Sequence, residues 1–248
     1  LHLAGIPNHN KSMSTLIESA AGGIAPPPVL PPLENGDRLT VGEFKRRWER
    51  MPKLKRAELI EGVVFMPAAL RHTQHGEPHG WIMNLVSAYA MRTGLAFGDN
   101  ASVELDEHNM PQPDAYVLLP EHLGRRSRID EEGYLIGAPD FIVEVAASSA
   151  SLDLHGKLQT YEQSGVQEYI VWRTLDQAFD WFVHQAGALR RQPFPDGIIR
   201  CAILPGLWLD TAALIQKNAQ RLLTTFEEGL ASPEYIAFQA AIGAAAHE

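Results

Sequence analysis

One carboxylate interrupts an otherwise wholly apolar, strand-length run, Phe141-Ile142-Val143-Glu144-Val145. Such a run reads as a buried strand, and a charge among those side chains costs several kcal/mol unless it is paired or binds a metal. Glu144 therefore needs a partner, and any fold of this chain must supply one. Thirty residues upstream, Pro113-Asp114 opens a second apolar run, Ala115-Tyr116-Val117-Leu118-Leu119, and Lys157 follows in the next helical segment.

Turn signals and periodicity divide the rest of the chain. Thr40 stands in the capping-box relation to Glu43, which predicts a helix over 41–49. Residues 58–66 read as strand, turn glycine, strand. Trp81, Ile82, Leu85, Val86 and Tyr89 recur at helical spacing, predicting a helix over 81–91 that Gly94 ends. Strands are predicted over 101–105, 114–119 and 141–146. A helix over 153–164 follows, with Leu154, Leu158 and Tyr161 on one face and Gly165 as its terminator. Strands resume over 168–172, 178–184 and 198–204, where Pro205-Gly206 is a hard stop. The fold class implied is α+β, a central mixed sheet flanked by helices, with an N-terminal hairpin and C-terminal helices added. Residues 1–37, rich in proline and glycine without sustained periodicity, read as a flexible tail. The main domain is expected over 38–210, and the helical pattern beyond it makes 211–248 a C-terminal extension that packs on the sheet or on a second subunit.

Bulk properties narrow the class. No segment approaches the roughly 20 apolar residues of a membrane helix, and the start lacks the order of a secretory signal. The single cysteine, Cys201, excludes an intrachain disulfide and sits in an apolar run, so a cytoplasmic location is expected. A net charge of −9 argues against a protein that coats nucleic acid. Distribution matters more than the total, because seven of the 21 basic residues fall between Lys45 and Arg56 and three more are Arg125, Arg126 and Arg128. These read as a solvated helix face and loop, or as two local phosphate-binding patches.

Magnesium takes hard oxygen ligands, often one or two carboxylates, and its open positions activate a water and neutralise charge on a leaving oxygen. Asp114 and Glu144 suit that demand, and a neighbouring ammonium such as Lys157 can orient water or stabilise a phosphorane. With Glu58-Leu59-Ile60-Glu61-Gly62, Gln112-Pro113-Asp114, Pro139-Asp140-Phe141-Ile142-Val143-Glu144-Val145, Asp153, Lys157, Tyr161, Gly165-Val166-Gln167-Glu168-Tyr169 and Leu204-Pro205-Gly206 in this order, the chain resembles the restriction-endonuclease-like family of the "Uma-two" type, a branch of the PD-(D/E)XK nucleases. The resemblance implies a Mg2+-dependent endodeoxyribonuclease, with Mn2+ as a substitute ion, DNA as partner and a homodimer as a common assembly. It assigns Asp114, Glu144 and Glu58 as metal acids, with Glu61 the second choice to Glu58, and Lys157 as the catalytic lysine. The strict motif of that superfamily places lysine two residues after the strand glutamate, where this chain has Ala146.

That departure keeps a second function open, a catalytically inactive nuclease-fold module that binds nucleic acid or protein. His72, His75 and His79 have spacings that could hold zinc on a helix, but Pro78 and Gly76 interrupt and no cysteine accompanies them. His79 is a candidate for contact with the site, against a helix-cap or surface role. Asp140 is read as a turn residue and as an alternative metal acid. Trp172, Trp181 and Trp208 are read as core or sheet-face aromatics.

Overall fold

Thr40 Oγ1 accepts from Glu43 N, and α1 (Val41–Trp48) follows from that cap. The computed structural model describes residues 30–66 and 70–243, and the compact unit that carries the sheet begins at Pro32. The expected tail lies outside the described residues as far as residue 29. Leu33 is buried with Phe44 of α1, and Gly36 N donates to Val64 O, so the chain already belongs to the fold here.

β1 (Glu58–Ile60) and β2 (Val63–Phe65) form the expected hairpin. Its turn places Glu61 at φ 52° and Gly62 at φ 73°, and Asn109 Oδ1 holds the unusual Glu61 conformation by accepting from its N–H. A π turn, His72–Gly76, leads into α2 (Glu77–Thr93). This helix starts before its apolar stripe because Pro78 sits in the first turn, where no donor is needed.

Next come β3 (Ala96–Gly98), β4 (Val103–Glu104), β5 (Ala115–Leu118), β6 (Arg128–Ile129), β7 (Leu135–Ile136) and β8 (Phe141–Ala146). The helix expected over 153–164 is two helices, α3 (Ala150–Leu154) and α4 (Gly156–Ser164), broken at His155 with φ −126° and ψ −82°. β9 (Glu168–Arg173), β10 (Ala178–Gln185), β11 (Ala188–Arg191), β12 (Ile198–Arg200) and β13 (Trp208–Asp210) precede α5 (Thr211–Gln216), α6 (Ala219–Leu230) and α7 (Pro233–Gly243). The strand expected over 198–204 stops at Arg200. Among the described residues no helix is long and apolar enough to cross a membrane.

Six strands form one mixed sheet in the order β11-β10-β9-β8-β5-β3, in which only the β8–β9 pair is parallel. Side chains alternate across it. Val143, Val145, Ile170 and Trp172 point to one core with Ile82, Leu85, Leu214 and Phe226 from the long and C-terminal helices. Ile142, Tyr169 and Val171 point to the other, against Tyr161 of α4. The C-terminal helices thus complete the sheet's own core. Their docking needs glycine at two facing positions, because a Cβ on Gly229 would strike Gly206 O and the Trp208 ring. Trp172 stacks on Phe179 within this core, as expected of a sheet aromatic.

Candidate active site

Glu144 is the fourth residue of β8, and its position in the alternation aims it at α4. Lys157, in the first turn of that helix, places Nζ 3.0 Å from Glu144 Oε1 and 2.8 Å from Glu58 Oε1 of β1, with Asp153 Oδ1 at 3.6 Å. One turn later, Tyr161 OH donates to Glu144 Oε1 at 2.8 Å. Gln112 N donates to Glu58 Oε1 at 2.7 Å. Lys157 is 3% exposed and Glu144 2%, so these contacts replace water rather than compete with it.

Asp114 reaches the cluster through strand register. β5 pairs with β8 as Ala115 opposite Val143, so the next step of the antiparallel ladder sets Asp114 across from Glu144 on the same face. Its Oδ2 accepts from Val145 N at 2.8 Å, while Oδ1 faces Arg56 Nη2 at 3.2 Å and His75 Nε2 at 3.3 Å. His75 Nδ1 lies 2.8 Å from Val145 O. Both ring nitrogens face acceptors, an arrangement only the imidazolium satisfies. Burial lowers the His75 pKa, but Asp114 outweighs it and leaves the net shift upward.

Four buried carboxylates, Glu58, Asp114, Glu144 and Asp153, thus share Lys157, Arg56 and His75. The excess of negative charge sets the protonation pattern. Burial pushes the Glu144 carboxyl well up, and Asp114, Asp153 and Glu58 add to that push against Lys157. Asp153 is raised by burial in the same way. Burial would discharge Lys157, yet Glu144, Glu58 and Asp153 hold its pKa well above the ordinary value, so it stays an ammonium. Asp114 moves the opposite way to Glu144 and Asp153: burial raises it, but His75, Lys157 and the Val145 N–H bring it down to about 2.

Surplus carboxylate charge with hard oxygen donors suits a divalent cation, which would release the protons that burial otherwise retains. Among the described residues no hydrogen bond uses Glu144 Oε2 or Glu58 Oε2. No three His, Cys, Asp or Glu side chains converge on one ion position among the described residues, since Lys157 bridges Glu58 to Glu144 and Asp114 is held by Arg56 and His75.

The sequence-predicted residues Glu58, Glu144 and Lys157 are therefore in direct contact, with Asp114 on the adjoining strand. Asp140 is elsewhere: its carboxylate accepts from Leu119 N and its carbonyl from Gln167 N and Glu168 N, so it ties strand ends together. Glu61 is exposed in the hairpin turn. His79 contacts the site through Asp114 O at 2.8 Å, whereas His72 is exposed. Arg56, His75, Asp153 and Tyr161 join the site without having been assigned to it. The last two could have been found, because Asp153, Lys157 and Tyr161 recur every four residues. They take the buried side of the α3–α4 segment, while Leu154 and Leu158 are only half-buried. Within the basic stretch, Lys45, Arg46 and Arg47 are engaged by Glu104, Glu132, Glu43 and Asp37.

The Uma2 family model, described as "Putative restriction endonuclease", matches residues 41–212, more than half of the chain. The chain belongs to the Uma2 family. Its matched span holds all of Glu58, Asp114, Glu144, Asp153 and Lys157. No curated protein matches it. Among solved structures, the chain is similar to a crystal structure described as "a putative nuclease belonging to DUF820" from Anabaena variabilis. At 15% identity and a TM-score of 0.53, over 69% of this chain and 96% of that one, the likeness shows a shared fold.

Proposed function

We propose that this Uma2-family chain is a magnesium-dependent endonuclease that hydrolyses DNA phosphodiester bonds. The observation that carries the reading is the buried Lys157 ammonium bridging Glu58 and Glu144, with Asp114 opposite Glu144 on the next strand. Asp114, Glu144 and Glu58 would hold the ion, Mg2+ or Mn2+, only after Lys157 gives up its bridge between the two glutamates, and the ion would then supply water activation and charge neutralisation. Lys157 would orient the attacking water and face the charge that develops on the phosphate. Tyr161 and Asp153 fix that lysine and its glutamate, and His75 with Arg56 holds Asp114 ionised and correctly turned. The family description and the described nuclease of like fold support the same reading.

Plasmid incubated with the protein and Mg2+ or Mn2+ tests this directly, beside Asp114→Ala. Ion-dependent nicking or linearisation that the variant loses is the expected result. Cleavage that survives in Asp114→Ala, or that never occurs with either ion, overturns it. The non-catalytic module is the second reading, motivated by Ala146 at the motif's lysine position. Against it, Lys157 brings an ammonium to the same carboxylate from the following helix.

A further inference from the structure

A cleft of about 380 Å3 adjoins the acidic cluster, walled by α1, the segment after it, the loop around Asn100 and Tyr134. We infer that this cleft is a nucleobase subsite, which receives one unstacked base of the nucleic-acid strand bound at Lys157 and Glu144; the inference rests on the nuclease reading above. Its size falls among small-molecule sites, roughly 300–1,000 Å3.

Chemistry selects the occupant. Trp48, Met51 and Tyr134 supply broad apolar and aromatic surface, which suits the faces of a base. Two amides line the same cleft with unspent hydrogen-bonding ends: Gln112 Oε1 and Asn100 Oδ1 are buried without a partner. Gln112 is 5% exposed, and its other amide atom is taken by Ser102 Oγ at 3.1 Å. A buried polar atom left unpaired costs free energy that a ligand can recover. Side-chain amides pair well with base edges, where donors and acceptors stand side by side. Lys45 Nζ, held by Glu104 and Glu132 at 3.4 Å each, lies 4.1 Å from the Tyr134 ring centroid and fixes that ring in the wall of the cleft.

The cleft is wired to the acids. Gln112 donates its backbone N–H to Glu58, while Asn100 Nδ2 lies 3.5 Å from the His79 nitrogen that contacts Asp114 O. A base seated here would therefore fix the register of the strand against the reacting phosphate. Entry requires the base to leave its stack, which favours single-stranded or locally opened substrate.

The test titrates dAMP, dGMP, dCMP and dTMP separately into the metal-free full chain, following tryptophan fluorescence and calorimetry. Gln112→Met keeps the backbone N–H that caps Glu58, and Asn100→Asp keeps a residue that tolerates the left-handed backbone at φ 49°. At least one nucleotide should bind, and each folded variant should weaken it roughly tenfold and change the ranking of the four. No binding, or equal binding of all four that neither variant alters, overturns the subsite. Because no metal is present, this result is independent of cleavage. A chain that cuts plasmid but ignores mononucleotides loses the subsite and keeps the nuclease reading, whereas selective nucleotide binding without cleavage does the reverse.

Discussion

Glu144 and Glu168 lie on neighbouring parallel strands, β8 and β9, and both are essentially sealed from water at 2% and 0% exposure. Register sends them to opposite faces of the sheet. On one face Glu144 meets an ammonium, a phenol and three further carboxylates. On the other, Glu168 meets N–H dipoles: Ala202 N at 3.0 Å, Ile203 N at 2.9 Å and Trp181 Nε1 at 2.6 Å. Burial pushes the Glu168 carboxyl up to about 7 even against those donors. A raised pKa is thus common to both residues and distinguishes neither. What separates them is surplus charge: the Glu144 cluster has more acids than cations and so has use for a bound cation, whereas Glu168 is satisfied by two backbone N–H groups and the Trp181 indole N–H. Glu168 pins the turn after Arg200 onto β9, which is why the strand expected over 198–204 ends early.

Lys157→Met should break the comparison most severely. It strands Glu58, Glu144 and Asp153 without their shared cation, and losing one partner of a buried ion pair costs about 3–5 kcal/mol. Urea denaturation should show that loss, and cleavage should vanish with it. Glu144→Gln sharpens the same point by keeping the shape and removing one of the surplus charges. Its cleavage rate should fall by roughly a hundredfold or more, while its midpoint of unfolding moves far less than that of Lys157→Met. A Glu144→Gln variant that cuts like the parent would erase the functional distinction between the two faces.

Glu168→Gln should leave cleavage unchanged and alter the pH dependence of stability instead. The folded pKa of about 7 lies above the ordinary 4.5, so this group's stabilisation is present below the unfolded value and is lost as pH rises through the folded one. The loss is on the order of 3 kcal/mol. Denaturation of parent and variant at a series of pH values between these limits isolates it, because the other acids are shared. Parallel profiles would show Glu168 ionised throughout.

The smallest effect expected is at Arg125 and Arg126, near Asp140 at the opposite end of β8 from Ala146. If DNA extends past the active site to this loop, each phosphate contact removed by Arg125→Glu and Arg126→Glu should lower the salt slope of binding by about one unit. An unchanged slope would confine the nucleic acid to the Asp114 side.

Much of the architecture is legible in the chain. The apolar run on both sides of Glu144 predicts β8 as an interior strand, Thr40 marks the start of α1, and Gly94 and Gly165 mark helix ends, each adopting the left-handed backbone expected of a terminator. Short pieces such as β4, β6 and β7 are not legible, because two-residue strands are defined by their partner and carry no period of their own. The break at His155 leaves one local trace, since Gly156 beside it is a weak helix former, but Leu154, Leu158 and Tyr161 continue the helical spacing across it and mask the signal. β11 escapes for a related reason, since Arg190-Arg191 resembles a loop until a hairpin with β10 aligns it.

By itself the sequence determined that a charge must be accommodated inside β8, that Asp114 opens the other apolar run of comparable length, and that a lysine follows close behind. These are local facts, governed by the cost of burying an ion and by the periods of strand and helix. Only the tertiary structure decided which charges meet. Antiparallel register sets Asp114 across from Glu144, α4 swings Lys157 to the carboxylates that Ala146 cannot reach, and Arg56 and His75 arrive from segments remote in sequence. Coulomb attraction acts through space, and neither composition nor periodicity records the distance over which the fold lets it act.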